Sequence, residues 1–222
     1  MIIFGGTGEG SAEALEDHGH ALAAADAHGL EAELLVPALQ AVEQRGGDPR
    51  AGTTYEKISQ LKPVFRPNGT ITAGNACPLN DGAAAVIVMS DTKAKELGIT
   101  PLARVVATGV TGLSPEIMGY GPVEATKQAL ARAKMSIGDI DLVEINEAFA
   151  VQVLGSAREL GIDEDKLNVS GGAIALGHPF GMTGARIMTT LINGLQTEDK
   201  RYGLETMCVG GGQGMAMIIE RL

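Results

Sequence analysis

From Pro101 to the end of the chain, short apolar runs alternate with helix-patterned stretches, and glycines punctuate the junctions. Such alternation favours a layered α/β fold in which loops at strand ends are placed to carry chemistry. The pattern predicts strands over 103–109, 140–145, 167–170, 204–208 and 215–220. It predicts helices over 123–134, from N-E-A-F-A to about residue 160, and over 183–195. The stretch 113–121 reads as a Gly/Pro-punctuated loop.

Upstream, 53–61 reads as a short helix stopped by Lys62-Pro63, Asn68-Gly69 as a turn, and 71–82 as mostly loop. Residues 83–89 form a buried-strand pattern leading into a helix at 92–97. The first 50 residues have another character. A strand over 1–4 precedes the glycine loop G-G-T-G-E-G, then an alanine-rich helix over 11–27 and a second helix over 31–44, interrupted at Pro37.

The 222 residues suffice for one substantial core or two modest domains. A net charge of -10 with no long Lys/Arg stripe argues against a nucleic-acid partner. The two cysteines, Cys77 and Cys208, lack C-x-x-C spacing, so structural zinc and a disulfide framework both read poorly and a reducing cytoplasm reads well. No apolar run approaches the roughly 20 residues that span a bilayer, so no membrane partner is expected.

Two segments carry chemistry. G-G-A-I-A-L-G-H-P-F-G at 171–181 sets His178 between glycines and a proline, and C-V-G-G-G at 208–212 puts Cys208 directly before glycines. An imidazole, a thiol and bare backbone amides are the groups that thioester chemistry at a carbonyl requires.

Those segments sit in a collinear set: N-A-C-P-L-N-D-G-A-A-A at 75–85, M-G-Y-G-P at 118–122, N-E-A-F-A at 146–150, G-G-A-I-A-L-G-H-P at 171–179 and C-V-G-G-G. On these the chain resembles the thiolase family of acyl-CoA:acetyl-CoA acyltransferases, from about residue 48 onward. The wording of 75–82 and of P-R-A-G-T-T-Y-E-K is nearest to bacterial thiolases of fatty-acid and sterol side-chain degradation. The resemblance implies a layered α/β fold with a complete C-terminal half at 98–222, the end of the N-terminal half at 48–97, and an atypical segment at 1–47 unlike the family. Most of the N-terminal half, with its nucleophilic cysteine, is expected to be missing, and 83–89 to be left as an orphaned apolar edge.

The resemblance also implies roles. His178 activates the nucleophile and helps form an oxyanion hole, which Asn146 completes through a water; Asn146 as a cap of the following helix is the alternative. Cys208 is the acid/base thiol, or else a buried small side chain, and Gly210 lends an N–H to a second oxyanion hole. Glu147 supports its loop, Phe149 touches the pantetheine arm, and Met118 lines the acyl pocket or fills core. Cys77 matches a substrate-adjacent loop where relatives carry serine, not the nucleophile's setting.

The implied activity is thiolysis of a 3-oxoacyl-CoA or the reverse Claisen condensation, with coenzyme A as co-substrate and no permanently bound cofactor or metal. Isolated, the chain is expected to be impaired. The alternative is a non-catalytic, truncated thiolase-like subunit that binds acyl-CoA. Implied partners are acyl-CoA, CoA, and a homo-oligomer or complementing thiolase subunit. The loop at 5–11 departs from G-x-G-x-x-G at Ser11 and has no G-K-[ST], while His18 and His20 share no helical face, so nucleotide and metal sites read poorly there.

Overall fold

The structure, a computed structural model, describes residues 49–222 in full, and the backbone of the short strands β1 (Ile2–Phe4), β2 (Glu33–Val36) and β3 (Glu43–Arg45). The glycine loop at 5–11, the helix expected over 11–27 and His18, His20 and His28 lie outside the described residues.

After a one-turn helix α1 (Tyr55–Ile58) and a long loop come β4 (Asp81–Ala83), β5 (Ala85–Ser90) and α2 (Asp91–Leu97). The remainder runs β6 (Ala103–Gly112), a 3-10 helix (Pro115–Tyr120), α3 (Gly121–Ala133), β7 (Leu142–Ile145), α4 (Ala150–Leu160), α5 (Ala173–Leu176), α6 (Thr183–Thr197), β8 (Tyr202–Val209) and β9 (Gln213–Arg221). Seven strands form one sheet in the order β1-β5-β2-β6-β9-β8-β7, and β3 pairs with β4 apart from it.

The helices lie where caps and periodicity place them. α3 opens on Pro122, whose fixed φ suits a first turn, and α4 closes at Gly161 with φ +69°. α6 buries Ala185, Met188, Leu191, Ile192 and Leu195 against one sheet face, together with Val86 and Val88 of β5. Ala125, Ala129, Val153 and Ala157 of α3 and α4 cover strands through Val143, Ile145, Leu204 and Ile218 in a second core. α3 approaches β9 so closely that a Cβ on Gly214 would fall on the Gly121 backbone.

Four expectations are corrected. The helix over 31–44 is replaced by strands β2 and β3: Glu33–Val36 pairs with both β5 and β6, and sheet pairing overrides helical pattern. β5 is accordingly no orphaned edge, since β1 and β2 flank it. The loop at 113–121 contains a 3-10 helix with Pro115 in its first turn. The strand over 167–170 shrinks to one bridge between Val143 and Leu167. There Asn168 adopts φ +47°, a left-handed conformation asparagine tolerates, and its side chain replaces the strand. The Ile145 N–H donates to Asn168 Oδ1 (2.8 Å), and Asn168 Nδ2 donates to the Ile145 carbonyl (2.9 Å).

Candidate functional site

β7 and β8 run parallel with Ile145 opposite Thr206, so their carboxyl ends open on the same side of the sheet. Open α/β sheets bind ligands at that end. Asn146 follows β7 immediately, its N–H continuing the ladder to the Thr206 carbonyl at 3.0 Å, and Cys208 lies two residues further along β8. Beyond it, Gly210 sits exposed in the turn to β9, with open space where a Cβ would be.

Three loops are stitched together here. The Cys77 N–H donates to the Ala148 carbonyl (3.1 Å) and the Ala150 N–H to the Asn75 carbonyl (2.9 Å), joining 75–77 to the N-E-A-F-A segment. From that segment, the Glu147 carboxylate accepts from the Ile174 N–H (3.0 Å) and from Asn168 Nδ2 (3.2 Å), which ties it to the base of the histidine loop. The His178 N–H donates to Asn80 Oδ1 at 2.9 Å, closing the circuit. Gly177, at φ +104°, makes the last contact possible, because a Cβ there would fall on the Asn80 carboxamide.

His178 Nδ1 lies 2.6 Å from Thr183 Oγ1 and 3.4 Å from Asn146 Nδ2. The ring stands edge-on to Phe180 at 4.9 Å. With Leu79, Asn80, Asp81 and Phe180 it lines a cleft of about 300 Å³. Burial, reinforced by the Arg186 charge, pushes the imidazole down to about 4, so it is neutral at physiological pH. Burial pushes the Cys208 thiol up; a backbone hydrogen bond pulls it back and the Cys77 thiol adds to the rise. Cys77 is half-buried and is likewise pushed up by burial. A neutral imidazole can take a proton and a protonated thiol can give one.

Asn146 is fully buried with its Nδ2 against the histidine, and its Oδ1 has no partner among the described residues. It is not the cap of the next helix: α4 begins at Ala150 behind Phe149. Phe149 packs edge-on to Phe65 with ring centroids 6.1 Å apart, while Met118 is half-buried in the 3-10 helix. Sequence reasoning missed Asn80 and Thr183 as partners of His178. Their signal was their position inside the motif at 75–85 and five residues after the histidine. It also missed a buried charged set behind the site, Glu144, Glu205 and Arg186.

Comparison with known proteins bears directly on this arrangement. The family model described as the thiolase C-terminal domain matches residues 99–221, and that of the thiolase N-terminal domain matches residues 9–92, which takes in most of the segment 1–47 set apart above. Escherichia coli acetyl-CoA acetyltransferase is 53% identical over 174 residues, 78% of this chain and 44% of the relative. A 3-ketoacyl-CoA thiolase of Vibrio vulnificus is 55% identical over 176 residues, covering 78% of this chain and 46% of its own. The crystal structure of human mitochondrial 3-ketoacyl-CoA thiolase in complex with CoA superposes with a TM-score of 0.77 at 49% identity, over 78% of this chain and 44% of the other. The chain thus spans about half the length of the relatives it matches. No helix among the described residues is long and apolar enough to cross a membrane. With both domain descriptions matched in order and the motif loops joined at one sheet end, the chain belongs to the thiolase family.

Proposed function

We propose that this chain carries the histidine base, the thiol acid and the carbonyl-binding groups of an acyl-CoA acyltransferase that acts on 3-oxoacyl-CoA with CoA as co-substrate. The observation that carries the reading is the convergence of His178 and Asn146, 3.4 Å apart, at the sheet end that also bears Cys208. His178, neutral, takes the proton from an attacking thiol. Cys208, resting as a thiol, protonates the carbanion that leaves when the 3-oxoacyl chain is cleaved, and as a thiolate removes the α-proton in condensation. His178, water held by Asn146, and the Gly210 N–H take the developing negative charge on the thioester oxygens. Phe149, Met118 and Cys77 border the pantetheine arm and acyl chain. Metabolism of fatty-acid or sterol side-chain acyl-CoA is the matching context.

A second reading, an acyl-CoA-binding subunit without turnover of its own, is favoured by one observation: burial holds both thiols up, so neither rests as a thiolate. In that reading a complementing thiolase subunit supplies the acyl carrier. Two assays on the purified 222-residue chain separate these readings. The first follows CoA-dependent thiolysis of acetoacetyl-CoA and a longer 3-oxoacyl-CoA, with intact mass to detect an acyl adduct. The second follows deuterium exchange at the acetyl-CoA methyl group, which needs a base and an oxyanion hole but no acyl carrier. Exchange that Cys208→Ala abolishes, with thiolysis weak, is the expected result. Binding of CoA without exchange supports the subunit reading, and an adduct on Cys77 makes that residue the nucleophile and overturns its placement beside the substrate.

A further inference from the structure

The threonines of α6 share a habit. Thr189 donates its hydroxyl proton to the Ala185 carbonyl (2.8 Å), Thr190 to Arg186 (3.1 Å) and Thr197 to Asn193 (2.9 Å), each four residues back. Thr183 does the same to the Pro179 carbonyl at 2.9 Å. A hydroxyl has a single proton. With that proton directed at Pro179, Thr183 Oγ1 can only accept at its 2.6 Å contact with His178 Nδ1.

We propose that Thr183 is a positioning residue for His178: its hydroxyl, committed to the Pro179 carbonyl, fixes the Nδ1–H tautomer and leaves the Nε2 lone pair as the basic one. This rests on the reading of His178 as the base. The ring is neutral at physiological pH, so one proton must be assigned to one of two nitrogens. Asn146 fits the same assignment. Its Oδ1 is buried without a partner among the described residues, and its carboxamide lies 3.4 Å from Nδ1. Turned end for end, Oδ1 becomes a second, longer acceptor for the Nδ1 proton that Thr183 Oγ1 takes at 2.6 Å. The other tautomer would draw the Thr183 proton away from Pro179, breaking the pattern kept along the helix.

The test is a multiple-bond ¹H–¹⁵N spectrum of the imidazole rings in the full chain at neutral pH, with His178→Asn identifying the signal. Expected is a protonated, pyrrole-type Nδ1 and an unprotonated, pyridine-type Nε2. In Thr183→Val the two nitrogen shifts should converge or exchange as the preference is lost, and Thr183→Ser should restore the wild-type pattern. An Nε2–H ring in the wild type, or unchanged shifts in a folded Thr183→Val, overturns the proposal. Should that variant fail to fold, Thr183→Ala decides it by the same two nitrogen shifts. No turnover is needed, so absence of deuterium exchange at acetyl-CoA would sink the functional reading without touching the tautomer.

Discussion

At the scale of single residues, the site depends on contacts that only particular side chains permit. Gly177 combines φ +104° with the Asn80 carboxamide directly over its Cα. Gly177→Ala is expected to break the His178 N–H bond to Asn80 and to destabilise the fold by more than about 1 kcal/mol, read from urea unfolding. His178 makes a second prediction. Its folded value, about 4, lies below the ordinary 6.5, so the unfolded chain binds more protons between those pH values. The contribution of His178 to stability should therefore fall as pH drops through that window, opposite in sign to that of the buried carboxylates, and the difference between wild type and His178→Asn isolates it. A ring C2 proton titrating near 6.5 would contradict it. His178, Asn146 and Cys208 stood out as candidates because each sits inside a compact motif. Asn80 was overlooked although it too sits inside a motif, because nothing local says that its carboxamide would reach the backbone of a histidine 98 positions away.

At the scale of elements, helices were easier to read than strands. α3, α4 and α6 announce themselves by apolar periodicity and by Pro122 and Gly161 at their ends. The expected strand over 167–170 failed because a side chain does the pairing. Asn168 presents its carboxamide as a peptide group to both polar atoms of Ile145, and no strand pattern encodes that. Asn168→Ala is expected to cost about 1–3 kcal/mol by leaving these buried backbone groups unpaired. It should also speed amide exchange at Ile145 more than elsewhere in β7. Uniform exchange across β7 would show that the pairing is incidental. The misread helix over 31–44 has another cause: E-L-L-V is too short for periodicity to tell strand from helix, and its partners β5 and β6 lie 50 or more residues downstream.

At the scale of the whole molecule, the layered architecture was legible from the alternation of elements, but the charges inside it were not. Glu144 and Glu205 read as members of apolar strands, and the parallel pairing of β7 with β8 sets them opposite one another. Both are buried, and burial pushes each up to about 8; the facing Glu144 adds to the effect on Glu205, while Arg186 pulls both back. Arg186, on α6, is itself buried with Nε and Nη1 unpartnered among the described residues, and it feels Glu144, Glu147 and Glu205 together. One guanidinium cannot compensate two ionised carboxylates in so little water, so the set holds protons through neutral pH and titrates as a unit. The sign follows from proton counting. Between the ordinary carboxyl range near 4.5 and about 8, the folded chain binds more protons than the unfolded one. Unfolding free energy should thus decline as pH rises across that window and level off above it. Glu205→Gln keeps the shape and removes one titrating proton, so its denaturant midpoint should decline less over the same window and exceed the wild type's at pH 8. If the two proteins kept parallel profiles, Glu205 would be ionised already in the folded state, and Arg186 would be stabilising it far more strongly than its unpartnered nitrogens suggest.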